Sequence, residues 1–356
     1  MPDLATIWDP QVPLPAVEDL PLPDRITHIM LHRGGDDFAF LHESCIVRHG
    51  DSFFVAWNNS PAAESERGTV VRWIRASSDF SQWTAPAALA SPLESETTIW
   101  ESAQLLSTRG ELWAFVGQVH TQPRHPQETG GDMAIFRFDP VGECWLPQAT
   151  VAGFHPLNRP QRAHGGYWLI GGQYNLIQPR VAISRGNDLT EWEIVEIPSG
   201  PEHQLNFAET SLVVDEDMVT AYVRSGIEAV FASESTDGGR TWRRLRQSNL
   251  PMRSSKTGAG VLSTGQRYLA LNLRSEHLDD RDVLALAVSA SGERYFRKLV
   301  VLRKGPSPNP RLSGYCKGRQ WSYPSVEEHD GRVYVTYSVT KEDCCLSILP
   351  LDEFRV

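Results

Sequence analysis

The sequence predicts an all-β chain folded as a six-bladed β-propeller. Three observations carry that expectation. One strand–turn–strand unit recurs six times along the 356 residues. A second marker, a strand ending in a turn that leads to an aromatic residue, follows each of the first five copies. Helical periodicity longer than about two turns is not apparent anywhere.

The elements run as follows. Residues 1–26 carry prolines at 2, 10, 13, 15, 21 and 23, so they read as an extended arm, neither helix nor central strand. The propeller occupies 27–356. Its repeating unit appears as FLHESCIVRHGDSFFVAWNN from Phe40, TIWESAQLLSTRGELWAFVGQ from Thr98 and RPQRAHGGYWLIGGQ from Arg159. It returns as FAETSLVVDEDMVTAYVRSG from Phe207, SKTGAGVLSTGQRYLALNL from Ser255 and WSYPSVEEHDGRVYVTYS from Trp321. The turn residues are Gly50, Gly110, Gly165, Glu216, Gly265 and Gly331, a spacing of 56 residues per repeat. The second marker ends on Trp83, Trp145, Trp192, Trp242 and Phe296. Two hairpins per repeat make one four-stranded blade. A blade alone cannot bury both faces, so the array must close into a ring. The strand near THIMLHR (27–33) is the expected closing partner of the last blade, and CCLSILPLDEFRV supplies that blade's own final strand.

Composition narrows the function classes. Net charge is −10, against nonspecific nucleic-acid binding, which needs a basic surface. Eleven Trp and nine Tyr suit both strands and sugar-binding clefts. Five cysteines lack metal-type spacing, and neighbours such as Cys344 and Cys345 point to opposite faces of a strand, so a reducing compartment is the simplest expectation. The N-terminus has no signal-peptide pattern and no run of about 18 apolar residues occurs, so no membrane partner is expected. As written the chain reads as cytoplasmic; a secreted or periplasmic location stays open if a leader preceded it. Nothing in the pattern implies a cofactor. His120, His125 and His164 read as loop or turn residues with structural or solvated roles, so no metal is implied.

The fourth marker, Ser235, Asp237, Gly239, Thr241 and Trp242, fits S-x-D-x-G-x-T-W, the Asp box. Its Asp accepts turn N–H groups, its Gly supplies a positive φ and its Trp plugs the space between strands. With the repeat texture and blade order, this motif resembles the sialidase superfamily of BNR, or Asp-box, six-bladed propellers, over nearly the whole chain after residue 27. The resemblance implies an axial active site fed by the innermost strands. Its family elements are a Tyr nucleophile with a Glu partner, an Asp acid/base and three Arg that grip the substrate carboxylate.

Carried over position by position, the resemblance makes Tyr323 the nucleophile, Glu209 its partner, and Arg224, 15 residues on, a carboxylate ligand. Arg281 is a looser match for another. His42 stands where the first Arg is expected and is a candidate acid/base; a histidine hydrogen-bonded inside the channel is the alternative. Tyr323 and Glu209 could equally form a buried structural hydrogen bond. For the acid Asp, the segment WNNSPAAESERG offers only Asn58, Asn59 and Glu64 as weak substitutes. Trp100 and Trp321 begin innermost strands, where they could stack a sugar ring; blade packing is the alternative.

The leading expectation is therefore an exo-acting glycoside hydrolase removing a terminal sugar, acidic sugars included, from a glycan or oligosaccharide, without true sialidase activity. One alternative is a lyase cleaving a uronate-linked glycan of rhamnose–glucuronate type by His/Tyr β-elimination. The other is a non-catalytic glycan-binding propeller.

Overall fold

A computed structural model describes residues 4–356 apart from 36, 96, 123–124, 217 and 279–280; the side chains of 122 and 125–129 are likewise not described. Six antiparallel sheets form a six-bladed β-propeller. Blade 1 comprises Phe40–His49, Ser52–Ser60, Val70–Ser77 and Ala87–Ala90. Blade 2 comprises Thr98–Thr108, Glu111–Gln122, His125–Asp139 and Cys144–Val151. Blade 3 has Trp168–Tyr174, Gln178–Arg185 and Asp188–Glu196 outside a broken innermost strand made of His155–Pro156 and Gln161–Arg162. Blade 4 comprises Thr210–Val214, Val219–Val223, Ala229–Ser235 and Arg246–Pro251. Blade 5 comprises Gly258–Val261, Arg267–Asn272, Val283–Ser289 and Phe296–Lys304. Blade 6 takes Trp321–His329, Arg332–Val339 and Asp343–Pro350 from the end of the chain and Thr27–His32 from its beginning.

The ring closes where sequence reading placed the closure. Thr27 pairs with Ile348 and His32 with Cys344. The C-terminal strand is the third of its blade, and the N-terminal strand is the fourth.

Strand alternation explains the core. Successive side chains point to opposite sheet faces, so each strand feeds two interfaces. Phe53, Val55 and Trp57 face blade 6, whereas Phe54 and Ala56 face blade 2. Among the described residues, each pair of neighbouring blades encloses its own apolar cluster, sixth-to-first included.

Two expectations need correction. The third turn places Gly166, not Gly165, at positive φ (81°), with Ala163 and Tyr167 bonded across it. His120 lies on the second strand of blade 2 and not in a loop; the side chain of His125 falls outside the described residues. The blade 4 turn has the expected physics. Asp237 Oδ1 accepts the backbone N–H groups of Arg240 (3.1 Å) and Thr241 (2.9 Å), and Oδ2 accepts the Thr241 hydroxyl (2.6 Å). Buried Trp242 donates its indole N–H to Gly239 O at 2.8 Å.

The N-terminal segment covers the outer strands of blades 4 and 5, edges that would otherwise present unpaired backbone groups. Ala5 N donates to Gln247 O, and Phe296 N donates to Ile7 O, both at 2.8 Å. Asn249 Oδ1 accepts the N–H groups of Ile7 and Trp8 at 2.9 and 3.0 Å. Trp8 is buried in the cluster between the two blades. Trp8→Ala should lower stability by about 3–5 kcal/mol, the usual loss for a large buried aromatic. Urea unfolding should show a lower midpoint at unchanged slope; a midpoint equal to wild type would show that the segment adds nothing to the fold.

Candidate active site

The innermost strands begin on one face of the ring, and the loops joining second to third strands open onto the same face. Three innermost strands carry a β-bulge at this end, between His42 and Cys45, Glu101 and Ala103, and Ser322 and Ser325. Each bulge holds a residue in the left-handed region: Glu43 at φ 50°, Ser102 at 42° and Tyr323 at 62°. Such a φ is an outlier for a bulky side chain, at about 1–3 kcal/mol. Bulges re-aim side chains, and here one aims the Tyr323 ring at the axis.

Register explains the spacing between Glu209 and Arg224. Thr210 pairs with Val223, and the ladder continues one step further, with Arg224 N donating to Glu209 O at 3.0 Å. The two residues are cross-strand neighbours at the open end of the blade 4 hairpin. Arg224 Nη1 donates to Glu209 Oε2 at 2.8 Å and to the Tyr323 hydroxyl oxygen at 2.8 Å. The Tyr323 O–H donates to Glu209 Oε1 at 2.7 Å. All three side chains are buried.

Other groups surround this triangle. The His42 ring lies 3.8 Å from the Tyr323 ring, centroid to centroid. Its Nδ1 is 3.4 Å from Ser338 Oγ and its Nε2 is 3.5 Å from Glu64 Oε1. Lys341 donates to Glu64 Oε1 at 2.7 Å, and Leu41 N donates to Lys341 O at 2.8 Å, tying the tip of blade 6 to blade 1. Lys256 Nζ is 3.5 Å from Glu43 Oε2. Arg281 Nη1 donates to Gln320 Oε1 and its Nη2 to Ser254 O, both at 2.7 Å. Cations therefore ring the Tyr323 ring face: Lys256, Arg281 and Lys341 at 5.5, 5.8 and 6.0 Å.

Burial and these charges set the protonation states. Burial holds the His42 imidazole well below its usual value, and Lys341, Arg281, Lys256 and Arg224 push it the same way, so it is neutral. Burial and the Glu209 charge raise the Tyr323 phenol well above its usual value. Burial also pushes the Glu209 carboxyl up, but Arg224 and the hydrogen bonds from Arg224 and Tyr323 outweigh it, leaving it below the ordinary range. Burial raises the Glu43 carboxyl, with Lys256 opposing.

The mouth is partly roofed by residues 305–320, between blades 5 and 6. Buried Glu342 pins this strap, accepting from Arg311 N (3.0 Å), Leu312 N (2.8 Å) and Lys317 Nζ (3.2 Å). A Cβ on Gly314 would lie 2.0 Å from Ala62 O, so the strap packs directly on the loop that carries Glu64. Phe207, with the Arg224 guanidinium 4.4 Å over its ring, and Tyr315 of the strap are exposed.

Of the residues singled out from sequence, His42, Glu209, Arg224, Arg281 and Tyr323 converge. Trp100 and Trp321 do not, which corrects their expected sugar-stacking role. Trp100 is buried against Phe136 between blades 1 and 2, its indole N–H donating to Ser91 O at 2.6 Å. Trp321 packs beneath the Arg303 guanidinium (4.6 Å) and donates to Gly305 O. Asn59 is bonded to Phe40 O and the Trp57 indole, inside blade 1. Glu64 reaches the site, contrary to its low standing in sequence. Glu43, Lys256 and Lys341 were missed. Glu64 lies in an aperiodic loop and Lys341 at a hairpin tip, where no period signals direction. Among the described residues, no group of three or more His, Cys, Asp and Glu side chains is close enough to hold a metal ion.

Comparison with known proteins follows the same lines. A family profile described as a BNR repeat-like domain matches residues 51–335. No curated protein matches the sequence. Among solved structures, a protein of unknown function from Dyadobacter fermentans DSM 18053 is similar at TM-score 0.70 and 15% identity, over 92% of this chain and 100% of that one. A Trypanosoma rangeli sialidase in complex with sialic acid is similar at TM-score 0.65 and 13% identity, over 93% of this chain. This chain spans only 59% of that sialidase's length. The intramolecular trans-sialidase from Ruminococcus gnavus is similar at TM-score 0.65 and 10% identity, over 91% of this chain and 98% of that one. At these identities the likeness establishes the shared fold.

His42 yields a stability prediction. Its folded pKa lies below the ordinary 6.5, so the unfolded chain binds the proton more readily, and stability is lost as pH falls below about 6.5. Replacing His42 with Gln should reduce the acid destabilisation measured between about pH 6.5 and pH 5 by chemical unfolding; an unchanged slope would mean that His42 is charged in the folded protein.

Proposed function

We propose, from the premise that the chain belongs to the BNR repeat-like domain family, that its axial pocket is the active site of an exo-acting glycoside hydrolase. The single observation that carries this reading is the Tyr323 hydroxyl, hydrogen-bonded at once to Glu209 (2.7 Å) and to Arg224 (2.8 Å). A phenol is a weak nucleophile until a base takes its proton. Glu209 is that base, and Arg224 stabilises the negative charge that develops on the phenolic oxygen.

In the first step the Tyr323 oxygen attacks the anomeric carbon and its proton passes to Glu209. The glycosidic C–O bond breaks, and Glu64, which must enter the step carrying a proton in place of its bond from Lys341 Nζ, gives that proton to the departing oxygen. In the second step Glu64 takes a proton from water, the water oxygen attacks the anomeric carbon, and Tyr323 leaves and recovers its proton from Glu209. Arg281, Lys256 and Lys341 favour a terminal sugar that carries a carboxylate. His42 in place of a third guanidinium fork argues for a smaller or differently placed acidic group than that of sialic acid, so sialosides should be poor substrates.

The neutral His42, its ring tilted against that of Tyr323 at 3.8 Å and its Nε2 buried without a hydrogen-bond partner, favours one second reading. In a β-elimination on a uronate-linked glycan, His42 would take the proton α to the carboxylate and Tyr323 would protonate the leaving oxygen.

A panel of acidic glycosides separates the two: hydrolysis releases a saturated reducing sugar, whereas elimination yields an ultraviolet-absorbing unsaturated uronate. The hydrolase reading expects the former, with Tyr323→Phe inactive and Glu209→Gln reduced about 10²–10⁴-fold in kcat. Full activity of Tyr323→Phe would defeat it. Glu64→Gln should slow substrates with poor alcohol leaving groups far more than aryl glycosides, whose leaving group needs no proton; equal losses on both would remove Glu64 from the proton-donor role. Glycan binding with no product would leave a binding propeller.

A further inference from the structure

Beneath the pocket the axis is closed by blade 3, whose innermost strand breaks at Leu157–Pro160 and lets those residues bulge across the channel. Asn158 Oδ1 accepts Leu212 N of blade 4 at 3.3 Å. Gln161 Nε2 donates to Ala259 O of blade 5 at 3.1 Å. Arg159 crosses to blade 6, donating to Val326 O at 2.8 Å and to the Glu327 carboxylate. Between this plug and Pro324 lies a small cavity that admits one monatomic ion or one water.

Its lining holds two cations, of which Arg159 is paired with the Glu327 carboxylate of blade 6. Among the described residues around it, Arg159 and Lys256 are cations and none is a carboxylate; Gln104, Asn158 and Ser325 add polar groups. Gln104 is buried, 3% exposed, and its Nε2 has no hydrogen-bond partner. A buried amide donor left unbonded is costly, so an acceptor in the cavity would be favoured. The nearest carboxylate to Lys256 is Glu43 at 3.5 Å, and burial disfavours the charged form of that group. Gly258 would place a Cβ 2.8 Å from Pro324 O, so the inner strands of blades 5 and 6 are too close there for a polyatomic guest. A wider cavity of about 360 Å³ also has Arg159 in its wall.

We propose that this axial cavity is a binding site for a single halide-sized monovalent anion, with chloride the physiological class, held by the Gln104 amide, Lys256 and Arg159. The site shares Lys256 with the proposed substrate pocket and lies below it, on the far side of Pro324 from Tyr323.

Crystals grown in sodium bromide test it. An anomalous peak in the cavity between Gln104, Lys256 and Arg159 is expected; density there without anomalous signal, a water, would overturn the proposal. In solution, the thermal midpoint should rise with the logarithm of chloride or bromide concentration and stay flat in gluconate at equal ionic strength. Gln104→Met keeps the volume and removes the donor, and should abolish most of that halide-specific rise. Identical midpoints for the wild-type protein in chloride and gluconate would also overturn it, whether or not the variant folds.

Discussion

Everything in this protein depends on the ring being closed. A blade buries one face against each neighbour, so six blades need six interfaces; Thr27–His32 completes the last sheet, and its Leu31 joins the sixth interface, between blades 6 and 1. Closure fixes the angle between blades and brings the inner strands to a common axis. Backbones approach closely there: Gly258 would place a Cβ 2.8 Å from Pro324 O, and Gly171, on the strand behind the broken innermost strand of blade 3, one 2.4 Å from Thr210 O. Polar groups that reach the axis are stripped of water and must find one another.

That enforced meeting explains the site's chemistry. Glu209 and Arg224 are neighbours across one hairpin, but Tyr323 is 114 residues from Glu209 and touches it only because the ring closes. A left-handed Tyr323 is tolerated because the surrounding strands leave it no alternative. Desolvation then sharpens every protonation preference: a neutral His42, a charged Glu209 and a phenol that stays protonated until a base and a cation act on it together. Burial, together with the cations around the pocket, keeps His42 neutral.

The fold was legible in the sequence because its signals are local and repeated. A turn residue, glycine in five of the six copies, recurs at a mean spacing of 56 residues, a marker aromatic follows the first five, and period-2 alternation holds along the strands outside their bulges. Blade 3 departs from the pattern because its inner strand is diverted to plug the axis, and no periodicity announces a diversion. In the site, His42, Glu209 and Tyr323 could be found because they sit at matching points of aligned repeats. Glu64 reads only as a weak substitute from sequence, and Lys256 and Lys341 not at all, because loop length differs from blade to blade and side-chain direction is decided by contacts such as that of Leu41 with Lys341. Trp100 and Trp321 show the opposite error: a strand-start position says where the backbone is, and the bulge beside it decides which way the ring turns.

The central claim is that Tyr323 forms a covalent bond to the sugar. The most direct measurement is intact-protein and peptide mass spectrometry after incubation with fluorinated acidic glycosyl fluorides, which slow release of a glycosyl–enzyme. The account predicts one added glycosyl group per chain, mapped to the peptide containing Tyr323 and absent from Tyr323→Phe. Turnover of an acidic glycoside with no adduct at Tyr323, accompanied by an unsaturated product, would contradict it.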